Sequence, residues 1–124
     1  MAELIYKEEA YKIIGACMEV HKALGKGHNE NIYKDALEVE FQKQEIPYTR
    51  ERKFSVVYKG VVLPHFYFAD FVVYDKIILE AKAIEMLVSG HTKQTLNYLA
   101  ASKMKLGLLV NFGEDSLKNE RVVL

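Results

Sequence analysis

The chain has 124 residues, half of them hydrophobic, and its 17 Lys and Arg balance its 17 Asp and Glu. That length suits one domain with a single sizeable core, and zero net charge excludes the strong electrostatic footprint of a basic, nucleic-acid-coating protein. The one cysteine, Cys17, excludes an internal disulfide; with no signal-peptide pattern and no apolar run of membrane-spanning length, a soluble cytoplasmic chain with no membrane role is expected.

Ala10, Ile13, Ile14, Cys17, Val20 and Leu24 recur at helical spacing and predict a first helix over 7–24, stopped by Gly25-Lys26-Gly27. Within it Cys17 reads as core, and His21 as a half-buried, hydrogen-bonded residue. Asn29 is the expected N-cap of a second helix reaching about residue 43, with Tyr33, Ala36, Leu37 and Phe41 as its apolar face. Glu30 projects on that face, three residues before Tyr33 and seven before Leu37. The helix dipole favours an acid there, and the same placement lets it reach a site in the core.

A strand over 49–58 follows, then a tight turn at Lys59-Gly60. A second strand starts at residue 61 and carries Asp70 towards its end. A third covers 76–82, and the three form an antiparallel meander. A third helix over 91–102 carries Gln94 and Tyr98, four apart on one face. A fourth strand over 106–112 is apolar nearly throughout, as a strand buried on both faces would be, and 120–124 adds a short last strand. The order predicts an α/β fold, a mixed sheet with helices on both faces.

Residues 66–82 hold the chemistry. Two runs rich in β-branched and aromatic residues flank Asp75 and read as a hairpin. Asp70, Glu80 and Lys82 sit inside those runs, and a charge in a buried strand is costly unless paired or bound to a metal. Glu80 and Lys82 share a face. A turn with an odd number of residues centred on Asp75 sets Asp70 opposite Glu80; a two-residue turn pairs Asp70 with Ala81 and separates the acids. The spacing allows both. Two opposed carboxylates repel, and a divalent cation between them relieves the repulsion; oxygen ligands suit Mg²⁺ or Mn²⁺. Basic residues at Arg50, Arg52 and Lys53, and at Lys103 and Lys105, are candidates for lining a substrate path.

These pieces resemble the PD-(D/E)xK nucleases with their restriction-endonuclease-like core. Gly27-His28-Asn29-Glu30-Asn31-Ile32-Tyr33 fits the GxxExxY signature of one family within that superfamily. Asp70 with Glu80-Ala81-Lys82 fits the D…ExK site, and Gln94 to Tyr98 looks like the QxxxY motif of the RecB-like branch. The resemblance implies the order ααβββαβ(β) in a single nuclease-like domain over 1–124. It implies a metal-dependent nuclease acting on DNA or RNA. Asp70, Glu80 and the Ala81 carbonyl would bind Mg or Mn, with Glu30 supporting them from its helix. Lys82 would orient the attacking water, and Gln94 and Tyr98 would position the phosphate backbone or Lys82. A core this small is expected to act as a homodimer or beside a partner. The alternative is a nuclease-fold module that binds nucleic acid or a protein without cutting.

Overall fold

The structure is a computed structural model and describes residues 4–124. Helix α1 (Lys7–Leu24) buries Ala10, Ile13, Ala16, Cys17 and Val20, the stripe its spacing predicts. Burial pushes the Cys17 thiol up to about 12, so it is inert core. His21 is half-buried, with Nε2 3.0 Å from the Glu114 carbonyl oxygen. Helix α2 (Glu30–Lys43) lies against α1 and buries Tyr33, Lys34, Leu37 and Phe41. Asn29 does stand at its N-terminus, but the Asn29 side chain makes no capping bond.

Five strands make one sheet in sequence order: β1 (Tyr48–Tyr58), β2 (Val61–Val73), β3 (Ile77–Lys82), β4 (Leu106–Asn111) and β5 (Lys118–Val123). The first three are the expected antiparallel meander. Lys59 and Gly60 both take left-handed φ, 48° and 81°, the turn whose twist suits a two-residue hairpin. Helix α3 (Ser89–Ser102) carries the chain from β3 to β4, which therefore pair in parallel. His91 Nδ1 accepts the Val88 N–H at 3.1 Å and serves the first turn of that helix. The last strand starts two residues earlier than expected and pairs with β4.

The sheet has a core on each face. Helices α1 and α2 cover Phe71, Val73, Ile77, Leu79, Leu106, Leu108 and Val110. On the other face α3 packs Tyr98 and Leu99 over Ala69, Val72, Ile78, Leu109 and Val122. All six residues of β4 are buried, as a strand covered on both faces requires.

One buried amide ties the crossover down. Asn111 Oδ1 accepts from the N–H of Ile84 and of Gly113, and Nδ2 donates to the Ile84 carbonyl and to Glu114 Oε2. Beside it the Phe112 N–H donates to the Lys82 carbonyl at 2.8 Å. The end of β3 is thus pinned to the end of β4. The two segments run so close that a Cβ on Gly113 would sit 2.2–2.7 Å from Ile84 backbone atoms.

Gly113→Ala is therefore expected to cost about 2 kcal/mol or more, because backbone rather than a flexible side chain must move. Gly90→Ala, in α3 with nothing within 4 Å of its would-be Cβ, is expected to stabilise by roughly 0.5–1 kcal/mol. Urea midpoints of the two variants check both signs.

Candidate active site

Pairs Val73↔Ile77, Val72↔Ile78 and Phe71↔Leu79 set the β2–β3 register, so the turn holds Tyr74, Asp75 and Lys76. It is the odd-numbered turn, and the next pair in register is Asp70 opposite Glu80. There the ladder stops. The two acids bridge the gap with their side chains: the Asp70 N–H donates to Glu80 Oε2 at 2.7 Å, and the Ala81 N–H donates to Asp70 Oδ2 at 2.9 Å. Each carboxylate satisfies a backbone amide of the opposite strand. Buried amides left without partners are costly, so these acids replace the lost ladder bonds.

Strand β1 is irregular at the same level. Arg50 pairs with Phe71 and Arg52 with Ala69, but Glu51 and Asp70 between them do not pair. Glu51 has φ 56°, a left-handed conformation that costs a non-glycine residue about 1 kcal/mol or more. Across this level the pleat reverses in both strands. On β2, Phe71 and Val73 face α1 and α2, whereas Tyr67 and Ala69 face α3. On β1, Tyr48 faces the first pair of helices and Phe54 faces α3. One residue is absorbed in each strand, so the register survives while the faces exchange.

Into this level α2 inserts Lys34. Its ammonium lies 2.7 Å from Asp70 Oδ1, 3.0 Å from Glu30 Oε2 and 3.9 Å from Glu51 Oε1. Lys34 and Asp70 are 5% and 8% exposed, which makes this a buried ion pair, and Glu80 beside it is 2% exposed. Burial works against the Lys34 charge, but its hydrogen bonds to Asp70 and Glu30 outweigh that and hold its pKa above the usual lysine range. Burial first, and the Asp70 charge second, push the Glu80 carboxyl up to about 8; Lys82 and Lys34 pull the other way.

The GxxExxY residues divide their work. Gly27 takes φ 108°, which favours glycine. Tyr33 stacks on Phe112 with ring centroids 4.7 Å apart, and its hydroxyl donates to the Gly25 carbonyl at 2.6 Å while accepting the His28 N–H at 3.2 Å. Tyr33 thus locks the loop between α1 and α2, and Glu30, half-exposed in the first turn, meets Lys34. Across the sheet Tyr98 on α3 is buried and sits edge-on to Tyr67 at 5.6 Å. Burial, then the charges of Glu80 and Asp70, push its hydroxyl up to about 12. Gln94 lies one turn earlier and is exposed; Lys82 is half-buried at the end of β3.

The fold therefore brings Asp70, Glu80 and Ala81 together, and joins Glu30 to Asp70 through the Lys34 ammonium. Among the described residues, no three of Asp, Glu, His and Cys gather closely enough to hold a metal unaided. Arg50 does not line an open path: it binds Asp35 and Glu38 at 2.7 and 2.6 Å, while Arg52 binds Asp75 at 2.8 Å. Sequence reasoning missed Lys34 and Glu51. A signal existed for Lys34, which stands four residues after Glu30, the favoured order for an ion pair on a helix. For Glu51, between two arginines in a strand, none existed.

A family model described as the PD-(D/E)XK nuclease superfamily matches residues 7–122. Among solved structures the chain is similar to the crystal structure of SSO0001, with a TM-score of 0.60 and 18% identity, over 95% of this chain and 59% of that one. At that identity the likeness shows the fold alone. With the element order and mixed sheet it makes this a restriction-endonuclease-like core. No curated protein matches.

Glu80 binds its proton more tightly folded, at about 8, than at its ordinary 4.5. The folded state then holds more protons than the unfolded one, so stability falls as pH rises between those values. In EDTA, melting temperatures are expected to fall as pH rises through that window. Glu80→Gln keeps an acceptor for the Asp70 N–H and removes the buried charge, so it should flatten the profile and melt higher at pH 8.

Proposed function

The chain belongs to the PD-(D/E)XK nuclease superfamily, and from that premise we propose that it is a metal-dependent nuclease, a single cytoplasmic domain over 1–124 that hydrolyses phosphodiester bonds of DNA or RNA. The observation that carries this reading is the buried Asp70–Glu80 pair where β2 and β3 part, with Lys82 beside it.

The donors suit a hard divalent cation. Glu30, Glu51 and Asp70 surround the Lys34 ammonium, Glu80 lies against Asp70, and the charge of Lys82 acts on Glu80; with all of them ionised, four carboxylates face two ammonium groups. Asp70 and Glu80 would hold Mg or Mn, with the Ala81 carbonyl as a further ligand and Glu30 supporting the pair from α2. Such an ion, when bound, acidifies water and stabilises charge on the phosphoryl oxygens.

This chain's own residues supply the rest. Lys82, fixed through its backbone to Phe112, orients the attacking water and presents a preorganised positive charge to the phosphoryl oxygens. The water oxygen bonds to phosphorus as the bond to the sugar oxygen breaks, leaving a phosphate monoester and a hydroxyl. Tyr98, whose hydroxyl burial pushes further up to about 12, stays protonated and acts as a hydrogen-bond donor and not as a base. With Gln94 it positions the phosphate backbone or the Lys82 side chain. Lys34 positions Asp70.

One observation favours a second reading. The Lys34 ammonium already occupies one oxygen of Asp70, as a permanent cation would in a nuclease fold that binds nucleic acid without cutting it.

Purified protein is expected to cleave plasmid, single-stranded DNA or RNA with Mg²⁺ or Mn²⁺ and not in EDTA. Asp70→Ala, Glu80→Gln and Lys82→Ala should each slow cleavage about a hundredfold or more. Cleavage that survives in all three variants belongs to a contaminant. Calorimetry with Mn²⁺ separates the two readings: binding that Glu80→Gln abolishes supports the nuclease, and no uptake of Mn²⁺ supports the binding module.

A further inference from the structure

We propose that the outer half of the β1–β2 hairpin is a stacking platform for single-stranded nucleic acid, leading an unpaired strand to Asp70. The partner class rests on the nucleic-acid reading of the site above; the platform rests on separate observations.

The first is charge. Residues 53–69 contain no acid, while Lys53 and Lys59 are basic and Arg52 just before them is paired to Asp75, in a chain whose net charge is zero. The hairpin is therefore a positive arm on a body of the opposite net charge, and such an arm attracts a polyanion.

The second is aromatic exposure. Phe66 and Phe68 are 46% and 48% exposed, although their strand neighbour Tyr67 packs against the α3 core. The two rings meet edge-to-face at 5.4 Å, and the Lys53 ammonium lies 4.2 Å above the Phe66 ring. An ammonium beside two open rings offers what a single strand presents, a phosphate and a base face.

The third is position. The pleat reversal at Glu51 and Asp70 turns Phe66 and Phe68 away from α3, onto the sheet face that α1 and α2 cover farther along. Phe68 is two residues from Asp70 and Phe66 four, about 7 Å and 13 Å along a strand. The rings line the approach to the acids.

Charge also separates this occupant from its rivals. In a second copy of the hairpin, equally without acids, Lys53 and Lys59 would approach their own images, and opposed like charges destabilise a strand pair. A duplex offers phosphates but keeps its base faces stacked inside, so it uses the lysines and not the rings.

The test measures anisotropy of a short labelled DNA strand, and of its blunt duplex, with the whole chain in EDTA. The expected result is single-strand binding about tenfold or more tighter than duplex binding, with Phe66→Ala and Phe68→Ala each weakening it roughly 5- to 100-fold. Lys53→Ala should weaken both ligands and lower the salt dependence. The chain has no tryptophan, so Phe66→Trp creates a single reporter. It should bind like the parent and be quenched when the strand is added. Equal affinity for strand and duplex, alanine variants that bind like the parent, or no single-strand binding would each overturn the proposal. So would a blue shift of that tryptophan with protein concentration, accompanied by a dimer in sedimentation that Phe68→Ala dissolves, since a second copy would then hold the face. Cleavage is scored apart. Ring-dependent binding without metal-dependent cleavage leaves the platform standing and removes the nuclease reading; cleavage indifferent to both rings does the reverse.

Discussion

A carboxylate cannot sit between two paired strands, because the ladder leaves it no room and buried amides tolerate no vacancy. The exchange between Asp70 and Glu80 resolves both difficulties. Each acid accepts the amide that the parting of β2 and β3 would leave bare, at 2.7 and 2.9 Å. The sheet opens by one pair, and the opening is filled by the groups that need it. Chemistry and fold are then inseparable here: removing either carboxylate strands an amide as well as deleting an acid. The burial that makes Glu80 costly also keeps both carboxylates in one place, because few side-chain rotamers satisfy the opposite strand.

The reversal of pleat one strand over widens this opening into a site. Had β1 and β2 kept their alternation, Tyr67 and Ala69 would face the same layer as Phe71, and the meander would be covered alike along its length. Glu51, held at φ 56°, absorbs the change on β1, and Asp70 absorbs it on β2. The strained residue is itself an acid 3.9 Å from the Lys34 ammonium. Strain of this kind persists only where surrounding structure over-determines it, and here the buried Lys34–Asp70 pair and the β1–β2 pairs on either side of Glu51 do so. The result is a hairpin whose lower half is core and whose upper half shows aromatic rings to solvent.

Much of this was legible from the chain. The α1 stripe, the Lys59-Gly60 turn and the fully apolar β4 follow from periods and turn residues, and α1 keeps its expected bounds of Lys7 and Leu24. The D…ExK spacing marked the acids, and the three-residue turn, one of two the sequence allowed, set them opposite each other. What stayed hidden depends on geometry that no period records. Lys34 looks like a solvated lysine on a helix until the packing of α2 onto the sheet buries it. Glu51 sits in a strand whose residue types give no sign that the pleat turns over there. The exposed Phe66 and Phe68 alternate as a core strand would, and only the end of the helical cover leaves them open. Asn111 reads as the polar end of an apolar strand; two of its four hydrogen bonds reach Ile84, 27 residues away.

Lys34 also changes what the motif around Glu30 means. Gly27 and Tyr33 shape and lock a loop, and that loop sets the first turn of α2, so Glu30 and Lys34, one turn apart, point at Asp70 together. A cluster of four carboxylates with no internal cation would repel itself and protonate before it could be buried. A buried ion pair contributes little net stability against an apolar replacement, yet half of one is strongly destabilising. The worth of Lys34 is therefore positional. Its charge, stabilised by Asp70 and Glu30, keeps the Asp70 carboxylate aimed while the strands are parted. The acids can be set in place before any ion arrives, and any such ion meets a site already arranged, with only the balance of charge left to complete.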